Sequence, residues 1–155
     1  MLKLSKQRGL AAVEATIILP VILLLLLSIG EFGRMLYQYN TLTKALRAGV
    51  RTVSVAEGDN YVLDDNLKSR TRNMILYGQE TAGSSTVLPG LEYADVSFSD
   101  PFNMPASSED RYVKVNVSYD WVPMFGNSFN TFFGEAISLN FPLTTSMTMR
   151  VLNDG

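Results

Sequence analysis

Residues Gly9 to Arg34 read GLAAVEATIILPVILLLLLSIGEFGR, and the fold turns on what that stretch does. From Leu10 to Gly30 there are 21 residues with Glu14 as the only charge. At about 1.5 Å per residue a helix of that length reaches roughly 31 Å, matching a hydrocarbon core of about 30 Å. A transmembrane helix is therefore expected over residues 10–30. A carboxylate in such a segment costs roughly 2.5–3.5 kcal/mol at mid-bilayer, so Glu14 is a candidate functional residue, and assembly with other helices is the expected use. Pro20 lacks a backbone donor and should bend or locally open the helix, which membranes tolerate where neighbouring helices compensate.

The flanks set the orientation. Lys3, Lys6 and Arg8 lie in the first nine residues with no acidic residue among them. On the far side stand only Glu31 and Arg34, followed by Tyr37 and Tyr39 at interfacial positions. This asymmetry predicts a cytoplasmic N-terminus and an exported remainder. A cleavable secretory signal is the rival reading, with Ser28-Ile29-Gly30 as a small-x-small site. Against it, the apolar run exceeds the roughly 7 to 15 residues of such signals, and an amphipathic pattern continues through the proposed scissile bond.

Composition narrows the function further. The 155 residues hold one membrane segment and one modest domain. There is no Cys and no His, which removes thiol chemistry, the commonest general base and the commonest zinc ligand. Beyond the first nine residues the chain carries ten basic and fifteen acidic residues, net −5, which argues against nucleic acid as a partner. Asp100, Glu109 and Asp110 occur in polar loops with no nucleophile or base beside them. No enzyme activity, cofactor or metal site is expected. Asp59, Asp64 and Asp65 lack EF-hand spacing and are read as the acidic start of a helix.

The basic tail KxxKQRG, then LAAVE, then the apolar run, resembles a type IV prepilin signal, with Glu as the fifth residue after Gly. The resemblance implies a cut by a prepilin peptidase between Gly9 and Leu10, on the cytoplasmic side. The new amine of Leu10 is a charge that needs a partner when the helix packs among others, and Glu14 of this or an adjacent subunit supplies it. Gly9, without a Cβ, is expected to enter a protease cleft in extended form and to mark where tail ends and helix begins.

A closer resemblance extends past the leader. Ala11 to Glu14, Pro20, EFGR at Glu31, Phe32, Gly33 and Arg34, and a polar helix ending at Leu46 to Arg51 are together similar to the TadE-like minor pseudopilins of the tight-adherence (Tad, Flp-type) pilus systems. VKVNVSYDWVPMF (113–125) and LNFPLTTSMTMRV (139–151) look like the paired strands that close such proteins. The leader departs from the pattern at Ala15, where Phe or Tyr is common. The resemblance implies a pilin-like fold and a part in initiating, capping or building a pilus. Its partners would be major and minor pilin subunits, the prepilin peptidase, the inner-membrane assembly platform and the lipid bilayer. An uncleaved single-pass membrane protein with an exported binding or accessory domain is the alternative.

The exported part, 31–155, reads as α+β. Phe32, Met35, Leu36, Tyr39, Leu42, Leu46, Val50 and Val53 recur at spacings of 3 and 4, which continues the helix to about Ala56. Ala45, Ala48 and Gly49 form a small-residue edge that either admits another backbone or is mere composition. Gly30 and Gly33 suit a flexible membrane exit better than a dimer motif. A second helix is expected over Asp64–Tyr77, with Leu67, Met74 and Ile75 inward and Lys68, Arg70 and Arg72 outward. TAGSSTVLPG (81–90) is a turn-rich connector. Three antiparallel strands follow, over Ala94–Ser99, Arg111–Trp121 and Ser138–Leu152, with Pro142 indicating an edge or a bulge. Phe125, Phe129, Phe132 and Phe133 either cap the core or, at Phe129 and Phe133, form a subunit contact.

Overall fold

The structure is a computed structural model that describes residues 4–55, 63–107, 110–124, 126–129 and 134–151, with the side chains of 4–8 and 129 outside that description. The elements are helix α1 (Leu4–Ser54), helix α2 (Asp65–Tyr77) and strands β1 (Val96–Phe98), β2 (Phe102–Asn103), β3 (Arg111–Asp120), β4 (Ser128–Phe129), β5 (Ile137–Ser138) and β6 (Pro142–Arg150). The chain is thus α+β with a long N-terminal helix. It divides into two compact units, Met1–Leu36 and Tyr37–Gly155.

The first unit is helix and little else. Most of its side chains between Leu10 and Ile29 are apolar and exposed, including Val13, Ile17, Leu19, Leu23, Leu25 and Ile29. A helix hydrophobic all round belongs in a core or a membrane, and no core surrounds this one. Gly9–Ser54 contains the one helix among the described residues long and apolar enough to cross a bilayer.

The second unit is built on β3. It pairs antiparallel with β1 and β2 along one side and with β6 along the other, in a four-stranded sheet. The β3–β6 register runs from Tyr112 opposite Arg150 to Asp120 opposite Pro142. The strict alternation of β3 buries Val113, Val115, Val117 and Tyr119 and leaves Lys114, Ser118 and Asp120 exposed. Four strands stand where three were expected, because Phe102–Asn103 adds a short second piece beside β3. The first strand is shorter than expected: Tyr93–Asp95 is a 3₁₀ turn, so exposed Ala94 does not join the inward row of Val96 and Phe98. The last strand starts only at Pro142, and Ile137–Ser138 pairs instead with Ser128–Phe129 in a separate hairpin.

Val53, Leu67, Val113 and Val151 meet in one buried cluster, joining both helices, β3 and the residue after β6. On α1 the inward stripe is Leu42, Leu46, Val50 and Val53, each fully buried. Phe32, Leu36 and Tyr39, expected on the same stripe, are exposed instead. Their spacing fits the stripe, but spacing fixes only a face of the helix, not whether anything packs on it.

Gly49 is where composition becomes structure. A Cβ there would lie 2.4 Å from Cγ1 of Ile75 and 3.2 Å from the carbonyl oxygen of Thr71, so α2 approaches α1 as closely as glycine permits. The small-residue edge thus serves a helix contact within the chain. Helix α2 begins as its sequence implies: Asp64 Oδ1 accepts from the N–H of Leu67 at 2.7 Å, satisfying an orphan donor of the first turn. It ends at Gly78 (φ 72°), whose N–H donates to the Met74 carbonyl at 3.1 Å. Arg72, expected outside, is half-buried with its guanidinium 5.2 Å from the centre of the Phe98 ring.

The connector 79–92 lacks helix and strand but is anchored by buried Leu88 and Leu91. The Tyr119 hydroxyl donates to the Pro89 carbonyl at 2.8 Å, and Trp121 Nε1 to that of Leu139 at 2.9 Å. Each buried aromatic thereby keeps its polar end bonded while fixing a loop.

Candidate functional site

All the candidate residues except Phe129 and Phe133 lie along α1, and most of its apolar run is exposed among the described residues. Leu10 is exposed, as is Glu14 one turn later. No ion-pair partner faces Glu14 among the described residues. A carboxylate on an otherwise apolar surface is costly to hold unpaired in a bilayer.

Gly9 lies inside α1, which begins at Leu4 and runs across it without interruption. This corrects the expectation that Gly9 divides tail from helix. A Cβ at Gly9 would meet nothing within 4 Å, so no packing inside the chain requires glycine there. What glycine does supply is easier unwinding, since it destabilises a helix interior by roughly 0.5–1 kcal/mol relative to Ala.

Pro20 also sits within the continuous helix. Because proline has no N–H, the carbonyl of Thr16, four residues earlier, loses its helical donor. The neighbouring hydroxyls do not compensate it: Thr16 Oγ1 donates to the Ala12 carbonyl at 2.7 Å, and Ser28 Oγ to that of Leu24 at 2.8 Å. Thr16 and Ser28 thus keep their own hydroxyls bonded within the helix.

The EFGR residues do not form one surface. Consecutive residues turn about 100° around a helix. Accordingly Glu31 is buried at 4% exposure, Phe32 is 56% exposed, Arg34 is half-buried, and a Cβ on Gly33 would meet nothing within 4 Å. The motif therefore offers an apolar ring outward and a carboxylate inward.

Sequence reasoning missed the burial of Glu31 and of Gln38. Gln38 is 3% exposed, and its Oε1 has no hydrogen-bond partner among the described residues. Its position was a usable signal, since it stands one turn before Leu42 on the stripe that continues to Leu46 and Val50. Phe133 lies outside the described residues, as do Phe125 and Phe132. The backbone of Phe129 pairs with Ile137 in the small hairpin, and its side chain is outside the description.

Elsewhere the described residues hold no set of acidic groups able to grip a metal ion. A shallow groove on the outer sheet face is lined by Ser97, Asn116, Ser118, Thr144 and Ser146, with no titratable side chain for acid–base work.

Comparison with known proteins falls on the same helix. Residues 9–51 match the family model described as TadE-like protein. The match begins at Gly9, spans Glu14, Pro20 and EFGR, and ends within the buried stripe of α1. No curated protein and no solved structure matches the chain.

Proposed function

We propose that this protein is a minor pilin or pseudopilin of a Tad-type pilus system. It is inserted in the inner membrane with the N-terminus in the cytoplasm, cut by a prepilin peptidase after Gly9, and packed through its apolar helix among other pilin helices to initiate or cap a filament. The reading rests above all on the TadE-like match over residues 9–51, which takes in the apolar run 10–30, most of whose side chains are exposed among the described residues. In lipid such a helix is solvated; in a filament other helices replace the lipid, and van der Waals packing with a few polar contacts drives association.

Two polar features give that packing direction. Processing leaves an ammonium at Leu10, four residues before Glu14, within reach of a carboxylate of the same or an adjacent helix. Pairing removes the cost of holding either charge alone in apolar surroundings. The Thr16 carbonyl, to which Pro20 has no N–H to donate, accepts a donor from a neighbour. The role is structural rather than enzymatic, consistent with a chain that has neither His nor Cys.

N-terminal sequencing of the mature protein from its native host tests the processing step. Leu10 is the expected first residue; Met1 would support the uncleaved single-pass alternative, and Glu31 a secretory signal. Glu14→Ala tests assembly separately: membrane insertion should persist while incorporation into pili is lost. Normal piliation with that variant would refute the role given to Glu14.

A further inference from the structure

The two edges of the main sheet are built differently. One consists of β1 and β2, of three and two residues, with Pro101 between them. Short strands and an edge proline are standard defences against pairing with another chain. The other edge, β6, runs unbroken for nine residues. Its only proline is its first residue, and its only charge, Arg150, is its last and is bound to Asp110 at 3.0 Å. Among the described residues no strand lies beyond it.

The register tells which peptides are open. The Val151 N–H donates to the Arg111 carbonyl at 2.8 Å, so the odd residues of β6 turn their backbone groups toward β3. The N–H and C=O groups of Thr144, Ser146, Thr148 and Arg150 turn outward. The two faces are equally ordered: Thr144, Ser146 and Thr148 are exposed on the outer face, while Thr145, Met147 and Met149 are only half-covered on the core face.

We infer that β6 is a docking edge for a second copy of this chain, added antiparallel about a two-fold axis beside Met147. In that register Thr144 lies opposite Arg150 of the second copy and Ser146 opposite Thr148, so all four outward peptides are paired and Pro142 falls outside the paired run. On the core face Met147 meets its counterpart and Thr145 meets Met149, extending the sheet's apolar layer over half-covered methionines. Hydroxyl rows meet on the outer face. The two Arg150 side chains stand at opposite ends, roughly 20 Å apart at about 3.4 Å per residue, so no like charges face each other. Self-complementarity of this kind is what a two-fold interface demands, and the added strand draws its affinity from main-chain hydrogen bonds.

The inference does not depend on the pilus reading, and its test reads neither cleavage nor piliation. The chain has no native cysteine, so introduced thiols report alone. Full-length Ser146→Cys and Thr148→Cys chains with different tags are mixed in detergent micelles and mildly oxidised. A mixed disulfide dimer is expected, stronger than the dimer of either chain alone, and much stronger than that of a Ser97→Cys control on the exposed face of β1. Placing Ser146→Pro in the Thr148→Cys chain removes an outward N–H without touching the β3 ladder, and the mixed dimer should be lost. Circular dichroism confirms that this variant folds, and Thr144→Pro, also outward-facing, replaces it if it does not. Equal cross-linking of the Ser97→Cys control, or a dimer that survives both proline variants, overturns the inference.

Discussion

Leu25 and Leu46 sit in one uninterrupted helix and face opposite circumstances. Leu25 is 59% exposed and Leu46 is fully buried. Nothing in the local chemistry of the two leucines differs; what differs is whether this chain supplies the covering surface. For Leu46 it does, through the core beneath the sheet. For Leu25 it does not, and the stabilising environment has to come from lipid or from other chains. One helix therefore carries two kinds of hydrophobic residue, one kind buried in the folded unit and the other left exposed among the described residues.

The sharpest way to break that comparison is to truncate both. Leu46→Ala should destabilise the folded unit by about 2–5 kcal/mol, whereas Leu25→Ala should change its stability by less than about 0.5 kcal/mol. Urea unfolding in mild detergent, followed through the fluorescence of Trp121, the single and buried tryptophan, provides the reading. Equal losses would mean that the apolar helix is part of the folding unit after all.

Glycines sharpen the same contrast at a smaller scale. Gly49→Ala pushes a Cβ against Ile75 and should cost about 1–3 kcal/mol, more than the helix-propensity gain returns. Gly33→Ala has open space around it and should be neutral or slightly stabilising. Combining Gly49→Ala with Ile75→Ala should cost less than the sum of the two single changes, the sign of a direct clash.

Next in size is the cap of α2. Asp64→Ala should lose about 1 kcal/mol, read as a lowered unfolding midpoint with unchanged slope. The smallest effect belongs to the surface pair of Arg70 and Glu80, 2.6 Å apart and both about half exposed. Arg70→Ala should cost no more than about 1 kcal/mol, and less at high salt.

Much of the architecture was legible because it follows from short-range rules. The period of 2 in Arg111–Trp121 matches β3, the apolar length matches a helix long enough to cross a bilayer, and the expected helix over Asp64–Tyr77 matches α2 almost to the residue. What stayed hidden depended on partners distant in sequence. Phe32, Leu36 and Tyr39 keep the helical period of Leu42 and Leu46, yet nothing in that period says that they are exposed while Leu42 and Leu46 are buried. Arg72 reads as a surface cation until the fold brings Phe98 beneath it. The burial of Glu31 likewise contradicts what its charge suggests.

The candidate site divides along the same line. Glu14 and Pro20 announce themselves through cost, since a charge and a missing donor are conspicuous in an apolar run whatever the tertiary structure. Gly9 announces a pattern, and the structure adds that no contact within the chain needs it. The edge of β6 was only hinted at by Pro142, because a strand's openness depends on which neighbours the sheet gives it.

The sequence by itself determined that one helix is long and apolar enough to cross a bilayer and that the residues beyond it mix helix with antiparallel strands. These are consequences of composition and period, which act through neighbours along the chain. Only the tertiary structure decided where α1 stops being a surface and becomes a core element, how closely Gly49 lets α2 approach, and which sheet edge is left open. Those outcomes depend on excluded volume and hydrogen-bond pairing between segments tens of residues apart, and no local pattern encodes them.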